Sequence, residues 1–411
     1  MNSKNGLEKD RFFCFIAMFF SRCTIKKTED GRMICVQNGL VFDAVHETAE
    51  VMDILIVNGK IVKMGENLEL PLDCEIVDAE GLHVYPGFVD AHSHLGTSGS
   101  CIGFEGNDTN EMTDILTPHL RAIDCIEPMD ISFKEAREGG VTTVCTGPGS
   151  ANVVGGTFIT IKTAGKRVDD MVINDRVAMK CAFGENPKRC YRDKNNASRM
   201  STAAKLREIL FKTQEYDAKL KTAEHHKKPS FDMKLDAMLP VLHREIPLKV
   251  HAHRADDIFT ALRIAKEFNV RLTLEHVTDG SLIVDDLAQE NVMLAVGPSF
   301  GYRSKFELKN KSFKTAGDLA NAGCHVSIIT DAPVIPQQYL RLCAGLAIKE
   351  GMKPFDALKA ITINAAEHAG VSDRVGSLEV GKDADFVLID GSAFESSSKV
   401  VATYIDGKRV A

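Results

Sequence analysis

The feature that most constrains the fold is a series of eight short β-branched runs between about Pro86 and Gly370, separated by stretches with helical patterning. VYPGFVDAH, VTTVCTG, GTFITIK, RVAMKCAF, PLKVHAH, VRLTLEH, VMLAVGP and HVSIITD read as strands, and their alternation with helices predicts βα units around a parallel sheet. After PLKVHAH, the segment DDIFTALRIAKEF puts Ile258, Leu262 and Ala265 on one stripe, with Asp256 and Asp257 in the first turn, where the helix dipole favours acids. Eight such strands imply a closed barrel, and about 285 residues is an ordinary barrel length.

Two β-rich pieces bracket this middle. ICVQNGLVFDAV, MDILIVNGKIVKMGE and CEIVDAEGLHVY precede it, with Asn58-Gly59 as a hairpin signal; GKDADFVLIDG and KVVATYIDGKRVA follow it, with Asp406-Gly407 as another. The expectation is therefore an α/β chain: a (β/α)8 TIM barrel over residues 86–370, and a small β-sandwich-like domain built from residues 33–85 and 371–411. Residues 1–32 read as an extension outside the native domain, with Met33 as the natural start. Their apolar stretch RFFCFIAMFF is too short to span a bilayer, and no A-x-A-like cleavage site follows. The connection from Phe183 to Pro247 exceeds sixty residues and carries twelve Lys/Arg against five Asp/Glu from Lys188 to Lys228. It is expected as a basic helical insertion over about 185–245, either solvated or acting as a lid.

Composition narrows the function. With 44% hydrophobic and 26% charged residues the chain is ordinary globular protein, and a net charge of -7 offers no basic field for nucleic acid or an anionic membrane. A small-molecule substrate is expected, with a homo-oligomer left open. Eleven cysteines without a CxxC pair, several inside apolar runs, suit free thiols in a reducing, cytoplasmic setting.

In a βα barrel the reactive groups lie at the C-terminal ends of the strands. The first expected strand ends in Asp90-Ala91-His92-Ser93-His94, the fourth in Lys180, the fifth in His251, the sixth in His276 and the eighth in Asp331. His92 and His94, at i and i+2 on a strand, project to one side and can share one ion. A lysine buried at such a place is costly unless paired or modified. Lys180 is thus either an ion-pair partner or, carbamylated by CO2, a carboxylate able to bridge two divalent ions. His253 and Arg254 follow a ligand directly and are candidates for a substrate carbonyl or carboxylate. Glu185, Lys188 and His119 are further substrate-binding candidates on loops and segments near these strand ends. Gly147-Pro148-Gly149-Ser150 with Gly155-Gly156 lacks the GxxxxGK[ST] pattern and reads as tight turns.

VYPGFVDAHSHLG, Lys180 in AMKCAFGENPKR, His251 in VHAHRADD, His276 in LEHVTDG, Asp331 in TDAPVIP and the closing VGSLEVGKDADFVLIDG resemble the amidohydrolase superfamily, its imidazolonepropionase-like and prolidase-like members above all, from Met33 onward. The resemblance implies that His92, His94 and Asp331 hold one metal, that His251 and His276 hold a second, and that carbamylated Lys180 bridges them. It implies a metal-bound hydroxide as nucleophile, with Asp331 taking its proton and passing it to the leaving nitrogen. Zinc suits such ligands; iron or manganese fits them as well. The HxxE glutamate of mononuclear relatives is replaced here by Arg254. The expectation is a metal-dependent hydrolase acting on a C–N bond of a small, carboxylate-bearing cyclic amide or N-acyl or dipeptide-like substrate. Its alternatives are a mononuclear imidazolonepropionase-like or deaminase activity and a non-catalytic scaffold.

Overall fold

A computed structural model of the chain describes residues 32–99, 103–222 and 228–411. The extension expected at residues 1–32 lies, apart from Arg32, outside the described residues. The first and last described strands belong to one sheet. Strands β1 (Met33–Val41), β2 (Glu50–Val57), β3 (Lys60–Gly65), β4 (Glu75–Asp78) and β5 (His83–Pro86) are joined by the late strands β14 (Phe386–Asp390), β15 (Lys399–Ile405) and β16 (Lys408–Arg409) in the order β16-β15-β14-β5-β1-β2-β3. These strands form one hydrogen-bonded network, in which β1 pairs β4 through its first half and β5 through its second. Its own apolar core includes Ile34, Ile54, Val84, Phe386 and Leu388. The two predicted hairpin turns form with left-handed backbone at Asn58, Gly59, Asp406 and Gly407, the conformation that Asn-Gly and Asp-Gly supply at least cost.

The second sheet is the barrel. Strands β6 (Phe88–Ser93), β7 (Val141–Thr146), β8 (Val154–Lys162), β9 (Val172–Ala182), β10 (Leu248–Ala252), β11 (Leu272–His276), β12 (Met293–Val296) and β13 (His325–Ile328) lie side by side in chain order. The ends are brought together by Asp331 N donating to His92 O (3.2 Å) and His94 N donating to Ala332 O (2.7 Å). All eight expected strands are present, and one runs the other way: β8 is antiparallel to both β7 and β9. The cause is chain length. Residues 147–153 are too few for the crossover that a parallel strand needs, so the chain turns back at the catalytic face and leaves that loop there.

Helices cover the barrel. Ala255–Phe268 buries Ile258, Ala261, Leu262, Ala265 and Phe268, as the periodicity predicts. Asp257 in its first turn is buried against Arg199 Nε at 2.9 Å, so it serves as half of an ion pair as well as a dipole partner. In the 185–245 segment, helix Arg199–Thr222 buries Ala203, Leu206, Ile209, Leu210, Thr213 and Tyr216 at helical spacing, while its lysines stay on the outer face. This helix is thus part of the helical layer. No helix among the described residues is long and apolar enough to cross a membrane.

Candidate metal centre

The strand ends converge as two triads. His92, His94 and Asp331 form one; His251, His253 and His276 form the other; within each, the ligand-type atoms lie within 4.8 Å of one another. Asp331 Oδ1 is 3.2 Å from His94 Nε2 and 3.6 Å from His92 Nε2. The triads adjoin, the His92 and His276 rings being centred 5.1 Å apart. Backbone strain sits at two of these positions: His276 (φ 77°) and Asp331 (φ 54°) are left-handed without being glycine. Such conformations cost on the order of 1–3 kcal/mol and persist where the surroundings over-determine them.

Every imidazole is held by Nδ1. His92 Nδ1 donates to Glu275 Oε2 (2.9 Å), His94 Nδ1 to Gly147 O (2.7 Å) and His276 Nδ1 to Gly297 O (2.8 Å). His251 Nδ1 bonds Ser150 Oγ (2.9 Å) and His253 Nδ1 bonds Thr278 Oγ1 (2.7 Å). Each ring therefore presents Nε2 to the centre, the arrangement by which outer hydrogen bonds fix a metal-binding histidine. Burial holds His92, His251, His253 and His276 well below the usual histidine pKa, in the neutral form that ligates. The Nε2 atoms of His251 and His276 are buried with no hydrogen-bond partner. Orphaned polar atoms in a protein interior are costly, and a divalent cation is the partner that this donor set fits. Neutral imidazoles, a carboxylate and satisfied outer bonds thus agree with metal binding.

A match to the amidohydrolase family model over residues 83–410 decides what the centre belongs to. The chain is a member of the amidohydrolase family. It has the family's barrel fold, and the two triads are its candidate metal-binding groups. A solved amidohydrolase structure from Thermotoga maritima is 41% identical, with a TM-score of 0.89 over 92% of this chain and 99% of that one. The amidohydrolase tasK of Hapsidospora irregularis is 27% identical over 86% of this chain and 39% of its own length. An adenine deaminase from Lactobacillus delbrueckii subsp. bulgaricus is 24% identical over 87% of this chain and 56% of its own. This amidohydrolase chain therefore spans well under two thirds of the curated relatives it matches.

The remaining residues singled out in the sequence fall differently. Lys180 is fully buried, Nζ 3.3 Å from His92 Nε2, and burial lowers its pKa to about 8. His253, expected to face substrate, stands in the second triad. Arg254 is occupied by Asp256, Nε to Oδ1 at 2.9 Å and Nη2 to Oδ2 at 2.8 Å, which leaves its fork little to offer a substrate carboxylate. Glu185 acts through its backbone N, which donates to Glu307 Oε2 at 2.8 Å. Lys188 is half-buried on the short helix Glu185–Cys190. His119 lies in the segment that runs beside β8, its Nδ1 buried without a partner. Neither Lys188 nor His119 is joined to the triads by a hydrogen bond or ion pair among the described residues.

Several functional residues escaped the strand-end reading. Glu275 sits beneath the first triad, bonded to His92, to Lys249 Nζ (2.9 Å) and to His368 Nε2 (2.9 Å). Burial pushes its carboxyl up, but Lys249, His368 and His92 outweigh this and hold it well below the usual range. Lys249 and Glu275 were visible as opposite charges inside two adjacent apolar strands. Glu307 and Lys305 come from the loop after β12. Glu307 Oε1 lies 3.9 Å from both His251 Nε2 and His253 Nε2, and Lys305 Nζ is 3.1 Å from that same oxygen.

A cavity of about 300 Å³, lined by His94, Ser98, Glu135, Ala332, Pro333 and Gln337, opens beside the first triad. Another of about 460 Å³ lies at the opposite end of the barrel strands, among Arg244, Lys266, Arg271 and Glu290, where no ligand triad stands. Donor convergence, not volume, locates the chemistry.

Proposed function

We propose that this amidohydrolase hydrolyses a C–N bond in a small carboxylate-bearing cyclic amide or N-acyl or dipeptide-like molecule. In this reading His92, His94 and Asp331 hold one divalent ion, His251 and His276 a second, and Lys180, as its carbamate, lies between them. The observation that carries the reading is the convergence of five Nδ1-anchored imidazoles and Asp331 on one buried face. Divalent ions held by these residues would supply Lewis acidity, lowering the pKa of water to about 7 and polarising a carbonyl. Zinc suits the donors, as do iron and manganese.

The side chains do the rest. Burial pushes Asp331 up, but His276, His94 and Lys180 together hold it below the usual carboxylate value, so it is ionised and able to accept a proton at neutral pH. Its side chain keeps 16% exposure, which leaves it open to substrate from the cavity beside His94. Lys180, lowered to about 8, is partly neutral near pH 7.5; its free amine adds CO2 to give a carbamate and releases a proton. Arg254 is engaged by Asp256; Lys305, 19% exposed beside the second triad and paired with Glu307 at 3.1 Å, would meet a substrate carboxylate once an ion beside Glu307 releases it. The buried free cysteines suit a reducing, cytoplasmic setting.

A one-ion, deaminase-like reading has its own observation: Glu307 brings a buried carboxylate to His251 from another loop, where Arg254 offers none. Metal content separates the two. Protein made with bicarbonate and zinc is expected to carry about two ions per chain, falling to one or none in Lys180→Ala. One ion in both proteins selects the alternative, and none in either defeats both. For the substrate, Lys305→Met is expected to raise KM for acidic analogues more than for neutral ones; equal turnover of both by the wild type would sink the carboxylate reading.

A further inference from the structure

The second triad has more donors around it than the bridged centre uses. Resting on the reading above that the chain is metal-dependent, the geometry points to a cation site made of His251, His253, His276 and Glu307 that keeps its ion without Lys180. Three imidazoles converge there, each with Nδ1 engaged, by Ser150, Thr278 and Gly297 respectively. Two of their Nε2 atoms, on His251 and His276, are buried and unpartnered by the protein, so they are open to a ligand where they point.

Glu307 completes the set. It is 1% exposed, its Oε2 is fixed by the backbone N of Glu185, and its Oε1 is equidistant from two of the imidazoles at 3.9 Å. Lys305 Nζ touches that oxygen at 3.1 Å and Asn186 Oδ1 at 3.1 Å. The ammonium thus balances a buried carboxylate that has no other Lys or Arg ion-pair partner among the described residues, and Asn186 gives it a second partner when an ion takes its place. Lys180, by contrast, makes its hydrogen bond to His92 in the other triad. Three neutral imidazoles with one carboxylate are a complete donor set for a first-row divalent ion.

The test uses the full chain and Co2+, whose visible absorption reports its ligands, with elemental analysis for content. In a His94→Ala, Lys180→Ala background, which disables the first triad, one Co2+ per chain is expected to remain. Adding His253→Gln should weaken its binding about 100-fold, and adding Glu307→Gln about 10-fold with a changed visible spectrum, the range seen when metal-site partners are lost. The near-isosteric Glu307→Gln retains the bond from Glu185 N and tests the site even if His253→Gln fails to fold. Loss of all Co2+ in the background protein overturns the inference, as does Co2+ binding that neither added substitution changes. If the wild type still holds two ions in that last case, the bridged centre stands without His253 or Glu307 among its ligands. A wild type that binds none overturns both readings.

Discussion

The two triads solve the same problem in opposite ways. Around His92 the protein supplies charge: Asp331 and Glu275 are balanced by Lys180 and Lys249, and Glu275 also takes His368. Around His251 it anchors each ring on neutral dipoles, two hydroxyls and a carbonyl, keeps the nearby carboxylate Glu307 paired with Lys305, and leaves two Nε2 atoms unpartnered. A buried charge must be paired within the fold, whereas a neutral imidazole can wait for a cation at the lesser cost of a lost hydrogen bond. The first triad should therefore break through uncompensated charge, and the second through lost donors.

The largest effect is expected at Asp331, the one carboxylate that belongs to a triad directly. Asp331→Asn keeps the shape and removes the proton acceptor, so kcat should fall by about 10³-fold, within the range of general acid–base contributions. Steady-state kinetics with a metal assay on the same sample checks this; a tenfold loss or less would take Asp331 out of proton transfer. Next comes Glu275→Gln, which strands Lys249 in the barrel and should cost about 3–5 kcal/mol of stability and 10–100-fold in metal affinity at His92. Pairing it with Lys249→Met should restore much of the stability but not the affinity. Urea melts and chelator competition separate these effects, and recovery of both would make Glu275 a purely structural ion.

Acid sharpens the contrast further. His92, His251, His253 and His276 have folded pKa values below the ordinary 6.5. The unfolded chain consequently binds more protons below that point, and the stability these groups contribute is complete above about pH 6.5 and lost as pH falls. Each adds up to about 1.4 kcal/mol per pH unit. Metal-free protein should thus lose stability steeply from pH 6.5 to 5, and His253→Gln should flatten the slope by about one group. A level profile over that interval in the presence of EDTA would contradict the neutral-histidine picture.

How far the sequence carried this depends on what a local pattern can encode. Strand positions and the candidate ligands at their ends follow from apolar runs that stop in His92, His94, His251, His276 and Asp331. The reversal of β8 does not follow from its apolar run, because hydrophobicity has no direction; it was available only in the shortness of residues 147–153. Lys249 and Glu275 were legible as lone charges in apolar strands, but their pairing needed the barrel to set β10 beside β11. Glu307 and Lys305 had no local signal, since they lie in a loop with a single 3-10 turn and are brought to the triad by tertiary structure alone. Sequence adjacency of Arg254 to His251 says nothing about Asp256, which its fork engages.

The smallest effect, and the finest test of the difference between the triads, is at Ser150. Its hydroxyl bonds His251 Nδ1 from the loop that the reversed β8 places on the catalytic face. Ser150→Ala removes one neutral hydrogen bond, worth about 1 kcal/mol, and leaves His251 free to adopt either tautomer. Metal affinity at the second triad should fall about fivefold to tenfold, with the first triad and the melting temperature almost unchanged. That asymmetry is expected because only the second triad relies on this loop's side chain, while His94 takes the backbone carbonyl of Gly147, which the substitution leaves in place. Equal weakening of both ions would mean that the loop acts on the centre as a whole, and the two triads would then be one unit.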